Sequence, residues 1–171
     1  MNKGVNIGLK GIKIIGLFLC IFSLSGCVFA TNGNSINSFS QRLNNLQENN
    51  TFSAENYIID KSASTLTKYF KFNQNEIMLQ FKYDHKNRLN EMNIAFDFAP
   101  AEGSEELQFI EDLITAFCQS EEIKNDLLNS TDFENAIRVI RKETISAESG
   151  NIKMEIDVTQ LGTVISFYKD I

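Results

Sequence analysis

Several segments of this chain alternate apolar and polar residues with a period of two. Ile77, Leu79 and Phe81, for example, are separated by Met78 and Gln80. Successive side chains of a β-strand point to opposite faces of a sheet, so this pattern predicts strands with one apolar face and one largely polar face. The predicted strands are 66–72, 77–83, 92–98, 152–158 and 163–167. Turn-forming residues between neighbouring strands favour hairpins, and the sheet is therefore expected to be antiparallel.

The middle of the chain changes to helical spacing. Ser104 followed by two acids is typical of a helix start, and apolar residues then recur at intervals of three and four over 107–118. Shorter stripes follow at 123–128 and 133–140, and a weaker one lies at 36–46. Half-apolar strands need cover on one face only. The sequence therefore predicts the α+β class in two layers, with an antiparallel sheet of about five strands covered on one face by two to three helices.

The first 26 residues have the layout of an export signal. Three lysines precede a short apolar run, and small residues follow it. The run ends in Leu24-Ser25-Gly26-Cys27, which resembles the lipobox of bacterial lipoprotein precursors. The resemblance implies that the Cys27 thiol receives diacylglycerol, that a peptidase cleaves between Gly26 and Cys27, and that acyl chains hold the mature protein on a membrane.

We therefore expect three regions: a signal peptide at 1–26, a lipidated cysteine with a polar tether at 27–35, and a single folded domain at 36–171. The alternative for the leader is a retained transmembrane helix over 14–30, which is near the minimum length for crossing a bilayer. The expected location is the outer face of the cytoplasmic membrane. In a cell with two membranes the outer membrane is favoured, because residue 28 is valine and not the aspartate that commonly retains such proteins at the inner membrane.

Charge narrows the range of partners. The chain has a formal net charge of -6, and removing a leader with three lysines and no acid takes the mature protein to -9. This excess of acids argues against nucleic acid as a partner. Between Arg88 and Lys124 there are nine acids and no base. Four of these acids form a candidate binding surface for a cationic protein or small ligand, here called the acidic helix face: Glu105, Glu106, Glu111 and Asp112. The alternative is a solvated surface without a partner.

The sequence offers few groups for catalysis. His85 is the only histidine and lies in a predicted loop, while Cys118 is the only cysteine of the predicted domain and lies on an apolar helical stripe, where burial is expected. No metal-ligand pattern and no cofactor motif is present, so no metal or cofactor is expected. These observations predict a non-catalytic envelope protein that binds a partner. The alternatives are a small thiol or hydrolytic enzyme using Cys118 and His85, and a structural subunit of an envelope complex that assembles through the helix at 36–46.

Overall fold

A computed structural model of the protein describes residues 35–47, 58–72, 74–86, 88–138 and 143–169. The predicted signal peptide at 1–26, the lipobox-like segment that ends at Cys27 and most of the predicted tether lie outside these ranges. The described helices are α1 (Ile36–Leu46), α2 (Glu105–Cys118), α3 (Glu121–Ser130) and α4 (Phe133–Arg138). The described strands are β1 (Ile58–Asp60), β2 (Thr65–Phe72), β3 (Asn75–Tyr83), β4 (Leu89–Phe96), β5 (Glu143–Ser149), β6 (Ile152–Thr159) and β7 (Gly162–Lys169).

All seven described strands belong to one antiparallel sheet, in the order β1-β2-β3-β4-β7-β6-β5. Two runs of neighbouring hairpins, β1 to β4 and β5 to β7, therefore meet where β4 pairs with β7. Ile94 lies opposite Ile165 at this junction, and both side chains are fully buried. The helices lie in the chain between the two runs, apart from α1, which precedes β1.

The hydrophobic core lies between the helices and one face of the sheet. Phe39 of α1 meets Phe81 of β3 edge to face, with ring centroids 4.7 Å apart, and Phe109 of α2 packs on Phe70 of β2 at 4.8 Å. The amphipathic pattern of α2 explains its placement, because its apolar stripe is the part that is buried. Ser104 caps this helix by accepting a hydrogen bond from the Leu107 backbone N–H. The opposite face of the sheet carries no helix in the described part of the chain and stays open.

The α+β class and the antiparallel sheet are confirmed, but the number of strands is wrong. Sequence analysis predicted about five strands and missed β1 and β5. β1 has three exposed residues, too few to show a period of two. β5 is an edge strand of mostly polar residues. Its two apolar side chains, Ile145 and Ala147, pack against the core. Edge strands need little apolar surface, so hydropathy gave no signal for either.

The number of helices was also underestimated, since four rather than two to three contribute to the core. α1 and α4 each supply two buried apolar side chains: Phe39 and Leu43 from α1, and Phe133 and Ile137 from α4. The described helices include none that is both long and apolar enough to cross a bilayer. Burial of Cys118 on α2 is confirmed, with 3% of its surface exposed.

Candidate binding site

The open face of the sheet carries one row of apolar side chains that runs across four strands. Tyr69 lies opposite Met78, Met78 opposite Ala95, and Ala95 opposite Val164, so the four side chains are cross-strand neighbours on the same face. Tyr69 is 48% exposed and Val164 is 37% exposed. We call these four residues the apolar row.

The neighbouring positions on the same face are polar. Along β3 the next outward residue is Gln80, whose side-chain amide donates to the Thr67 hydroxyl at 3.3 Å. One step further, Lys82 lies 3.6 Å from Glu91 in a cross-strand ion pair. These polar side chains interact with one another, as expected for a solvated sheet surface. The apolar row therefore differs from the rest of the open face.

A cavity of about 320 Å³ opens beside the apolar row at the ends of β3, β4 and β7. Met78, Ala95 and Val164 line it together with Leu161, which is 90% exposed at the β6–β7 turn. Two acids also line it: Glu76 and Asp97. The cavity is thus apolar where the strands form its floor and acidic at its rim.

Gly162 holds the β6–β7 turn against the end of β4. Its φ is +142°, a conformation that residues with a side chain rarely adopt, and a Cβ atom placed there would lie 2.5 Å from the Phe96 carbonyl oxygen. The Thr159 hydroxyl closes the turn by donating to the Gly162 carbonyl oxygen at 3.0 Å and accepting from the Leu161 N–H at 3.1 Å. This close approach fixes Leu161 at the edge of the cavity.

The four residues of the acidic helix face occupy different surroundings. Glu105 is exposed in the first turn of α2. Glu106 accepts a hydrogen bond from Asn75 at 3.0 Å, and this bond holds the pKa of its carboxyl below the usual value. Burial raises the pKa of both Glu111 and Asp112, and the nearby Glu134 raises that of Glu111 further.

Basic side chains from outside the segment between Arg88 and Lys124 lie close to some of its acids in the folded domain. Lys124 interacts with both Glu111 and Asp112 and lies 2.6 Å from Glu121. Arg138 lies 3.7 Å from Glu102. Four of the acids between Arg88 and Lys124 therefore have neutralising neighbours from α3 and α4, namely Glu102, Glu111, Asp112 and Glu121, and partner binding by the acidic helix face stays a prediction.

Cys118 and His85 do not act on each other in the described structure. Burial raises the pKa of the Cys118 thiol to about 12, against the smaller opposing effects of Lys169 and Lys124. A thiol with this pKa holds very little thiolate at neutral pH, and the thiolate is the nucleophilic form. His85 is exposed in the turn between β3 and β4. This arrangement does not activate the Cys118 thiol as a nucleophile.

Two cationic side chains hold the C-terminal end of α2. The Arg42 Nε donates to the Ala116 carbonyl oxygen and the Lys169 Nζ to the Phe117 carbonyl oxygen, each at 2.7 Å. The Lys169 ammonium also lies 4.4 Å from the centroid of the Phe117 ring. Burial and, to a smaller extent, the charge of Arg42 lower the pKa of Lys169 to about 8. Cations satisfy carbonyl groups left free at a helix C-terminus, so this contact joins α1 and β7 to α2.

Sequence analysis missed the residues of the cavity, although part of the signal is present in the sequence. Met78, Ala95 and Val164 are apolar residues at positions where the strands otherwise present polar side chains. A single apolar residue at an outward position of a strand is common. Only the register of β3, β4 and β7 shows that the three are neighbours.

Within the described ranges, no group of three or more His, Cys, Asp or Glu side chains is placed to hold a metal ion. No protein-family model, no curated protein and no solved structure matched this chain.

Proposed function

We propose that this chain is a lipid-anchored protein of the bacterial envelope, that it acts by binding rather than by catalysis, and that it binds through the apolar row and the adjacent cavity. The observation that carries the proposal is a row of apolar side chains, with Tyr69 and Val164 exposed and Met78 and Ala95 half-buried, on a largely polar sheet face that no described helix covers. Apolar surface that stays in contact with water is unfavourable by about 25 cal/mol per Å² compared with the same surface buried. A contiguous patch of it at a cavity is typical of a binding surface.

The anchor supports this proposal from the sequence. A lipidated Cys27 followed by a tether of eight residues, 28–35, would keep the domain within about 29 Å of the bilayer surface. Two or three acyl chains provide stable attachment, whereas one chain binds only marginally. A protein held in this way meets partners at the envelope surface, on the outer face of the cytoplasmic membrane or on the outer membrane of a cell that has two.

The alternatives gain less support from the described residues. An enzyme using Cys118 would need a thiolate that burial suppresses. Assembly through α1 would need a free apolar stripe, but Phe39 and Leu43 are fully buried in the core of the domain and Arg42 is bonded to α2. Only Leu46 of α1 remains exposed among its large apolar residues, at 42%. The acidic helix face stays a second candidate surface for a cationic partner.

Photo-crosslinking from two positions separates the candidate surfaces. A photoreactive amino acid replaces Val164 in the apolar row, or Gln108, which is exposed beside the acidic helix face on α2. Each full-length variant is expressed in the bacterium that produces the protein, so that it is lipidated there before irradiation. We expect specific adducts from position 164 and not from position 108.

A variant that fills the cavity tests whether the adduct depends on it. Ala95→Gln adds a polar side chain to the cavity floor and should abolish the adduct from position 164, provided that circular dichroism shows the variant to be folded. Neutralising the acidic helix face with Gln and Asn should leave that adduct unchanged. Adducts only from position 108 would favour the acidic helix face, and adducts from neither position would contradict the proposed function.

A further inference from the structure

The cavity is small and has room for the side chain of a partner. Its volume of about 320 Å³ lies at the small end of the range for ligand sites. It opens onto a broad sheet face whose polar side chains already interact with one another, as in the pair Lys82 and Glu91. A small cavity surrounded by a polar, mostly solvated surface resembles the apolar centre and polar rim of a protein interface.

The charge at the rim selects the kind of side chain. Glu76 and Asp97 are both exposed, and within the described part of the chain neither makes a salt bridge. Lys71 lies opposite Glu76 in the β2–β3 register and offsets part of its charge. No base of the described strands is the register partner of Asp97, which follows the end of β4. Asp97 is therefore the acid with the greater capacity for an external cation.

We infer that the cavity binds a lysine or arginine side chain presented by a partner protein. The aliphatic stem packs on Met78, Ala95 and Val164, and the charged end lies at Asp97 and Glu76. Such side chains combine an apolar stem with a cationic end, which matches a floor and a rim of this composition. The inference rests on the proposed function, since it names the chemistry of the group that the open face binds.

Methyl NMR tests the inference on the full mature lipoprotein in nanodiscs of zwitterionic lipid, which do not concentrate cations. The methyl groups of Met78, Ala95 and Val164 report on the cavity floor. The probes are N-acetyl-lysine methylamide and N-acetyl-norleucine methylamide, which have stems of similar length and differ in charge. At low salt we expect the lysine probe to shift these methyl groups and to bind about three- to fivefold more tightly than the norleucine probe, as for an exposed ion pair.

Two variants with the same change in charge complete the experiment. Asp97→Asn should remove the preference for the lysine probe, whereas Glu122→Gln, at an exposed position of α3, should keep it. Equal binding of the two probes, an unchanged preference in Asp97→Asn, or no shift at the three methyl groups would each overturn the inference. These outcomes leave the crosslinking result from position 164 intact, so failure of the inference and failure of the proposed function are distinguishable.

Discussion

Gly162→Ala should destabilise the protein by about 3 kcal/mol. An alanine at φ +142° costs about 1–3 kcal/mol in backbone strain. The added Cβ also meets the Phe96 carbonyl oxygen at 2.5 Å, and a backbone atom within a paired strand cannot move aside at low cost. The reduced freedom of the unfolded chain returns only about 0.4–1 kcal/mol. The turn must therefore move away from β4, which also opens the end of the cavity beside Leu161.

Gly103→Ala is the matched control. Gly103 also has a positive φ, +69°, but nothing lies within 4 Å of the position that its Cβ would occupy. Its substitution should cost about 1 kcal/mol or less, because only the left-handed backbone conformation is unfavourable. Urea unfolding of the mature chain, followed by circular dichroism, measures both. With a denaturant slope of about 1–3 kcal/mol per molar, the Gly162→Ala midpoint should fall by about 1–3 M. Equal losses in the two variants would refute the argument from close approach.

Three further predictions concern residues away from the cavity. Cys27→Ala should abolish lipidation and processing, because the thiol is the acyl acceptor in the family that the lipobox resembles; incorporation of a fatty-acid probe by this variant would contradict the anchor. Cys118→Ser should cost about 1–3 kcal/mol in urea unfolding, because a hydroxyl enters an apolar site, and the native Cys118 thiol should react slowly with a thiol reagent; rapid labelling would contradict its burial. Lys169, with its folded-state pKa lowered to about 8, holds fewer protons in the folded state than in the unfolded state between pH 8 and 10.5, so the stability of the wild type relative to Lys169→Met should rise with pH across that window; a flat difference would show that burial does not perturb the lysine.

The strands at the centre of the sheet are the part of the fold that hydropathy predicts well. β3 and β6 bury alternate residues on one face and leave most of the others half-buried, so their period of two is visible in the sequence. β5 pairs with β6 over its full length, yet it is an edge strand with little apolar content. Its position depends on backbone hydrogen bonds to β6, which no side-chain pattern records.

The candidate site required the register as well as the pattern. Met78 and Val164 are 86 positions apart in the chain. Each is an isolated apolar residue on its side of the strand, because the residues two positions before and after it are not apolar. They become part of the same row because β4 lies between β3 and β7. The same holds for Lys169, which reaches the end of α2 from 52 positions away. Contacts between residues so far apart in the chain depend on the order of the strands in the sheet. Local periodicity in a single sequence predicts individual strands and helices but not that order.

The central claim is that a partner covers the open face of the sheet in the envelope, and the accessibility of one thiol tests it most directly. Val164→Cys and the control Gln108→Cys are each made in a Cys118→Ala background. With Cys27 acylated as proposed, the introduced cysteine is then the single free thiol of the mature chain. The rate of modification by a bulky, membrane-impermeant thiol reagent is then measured for purified protein and for isolated native envelopes. We expect the cysteine at position 164 to react several-fold more slowly in envelopes than in purified protein, while the cysteine at position 108 reacts equally in both. Equal rates at position 164 would contradict the claim that this face binds a partner.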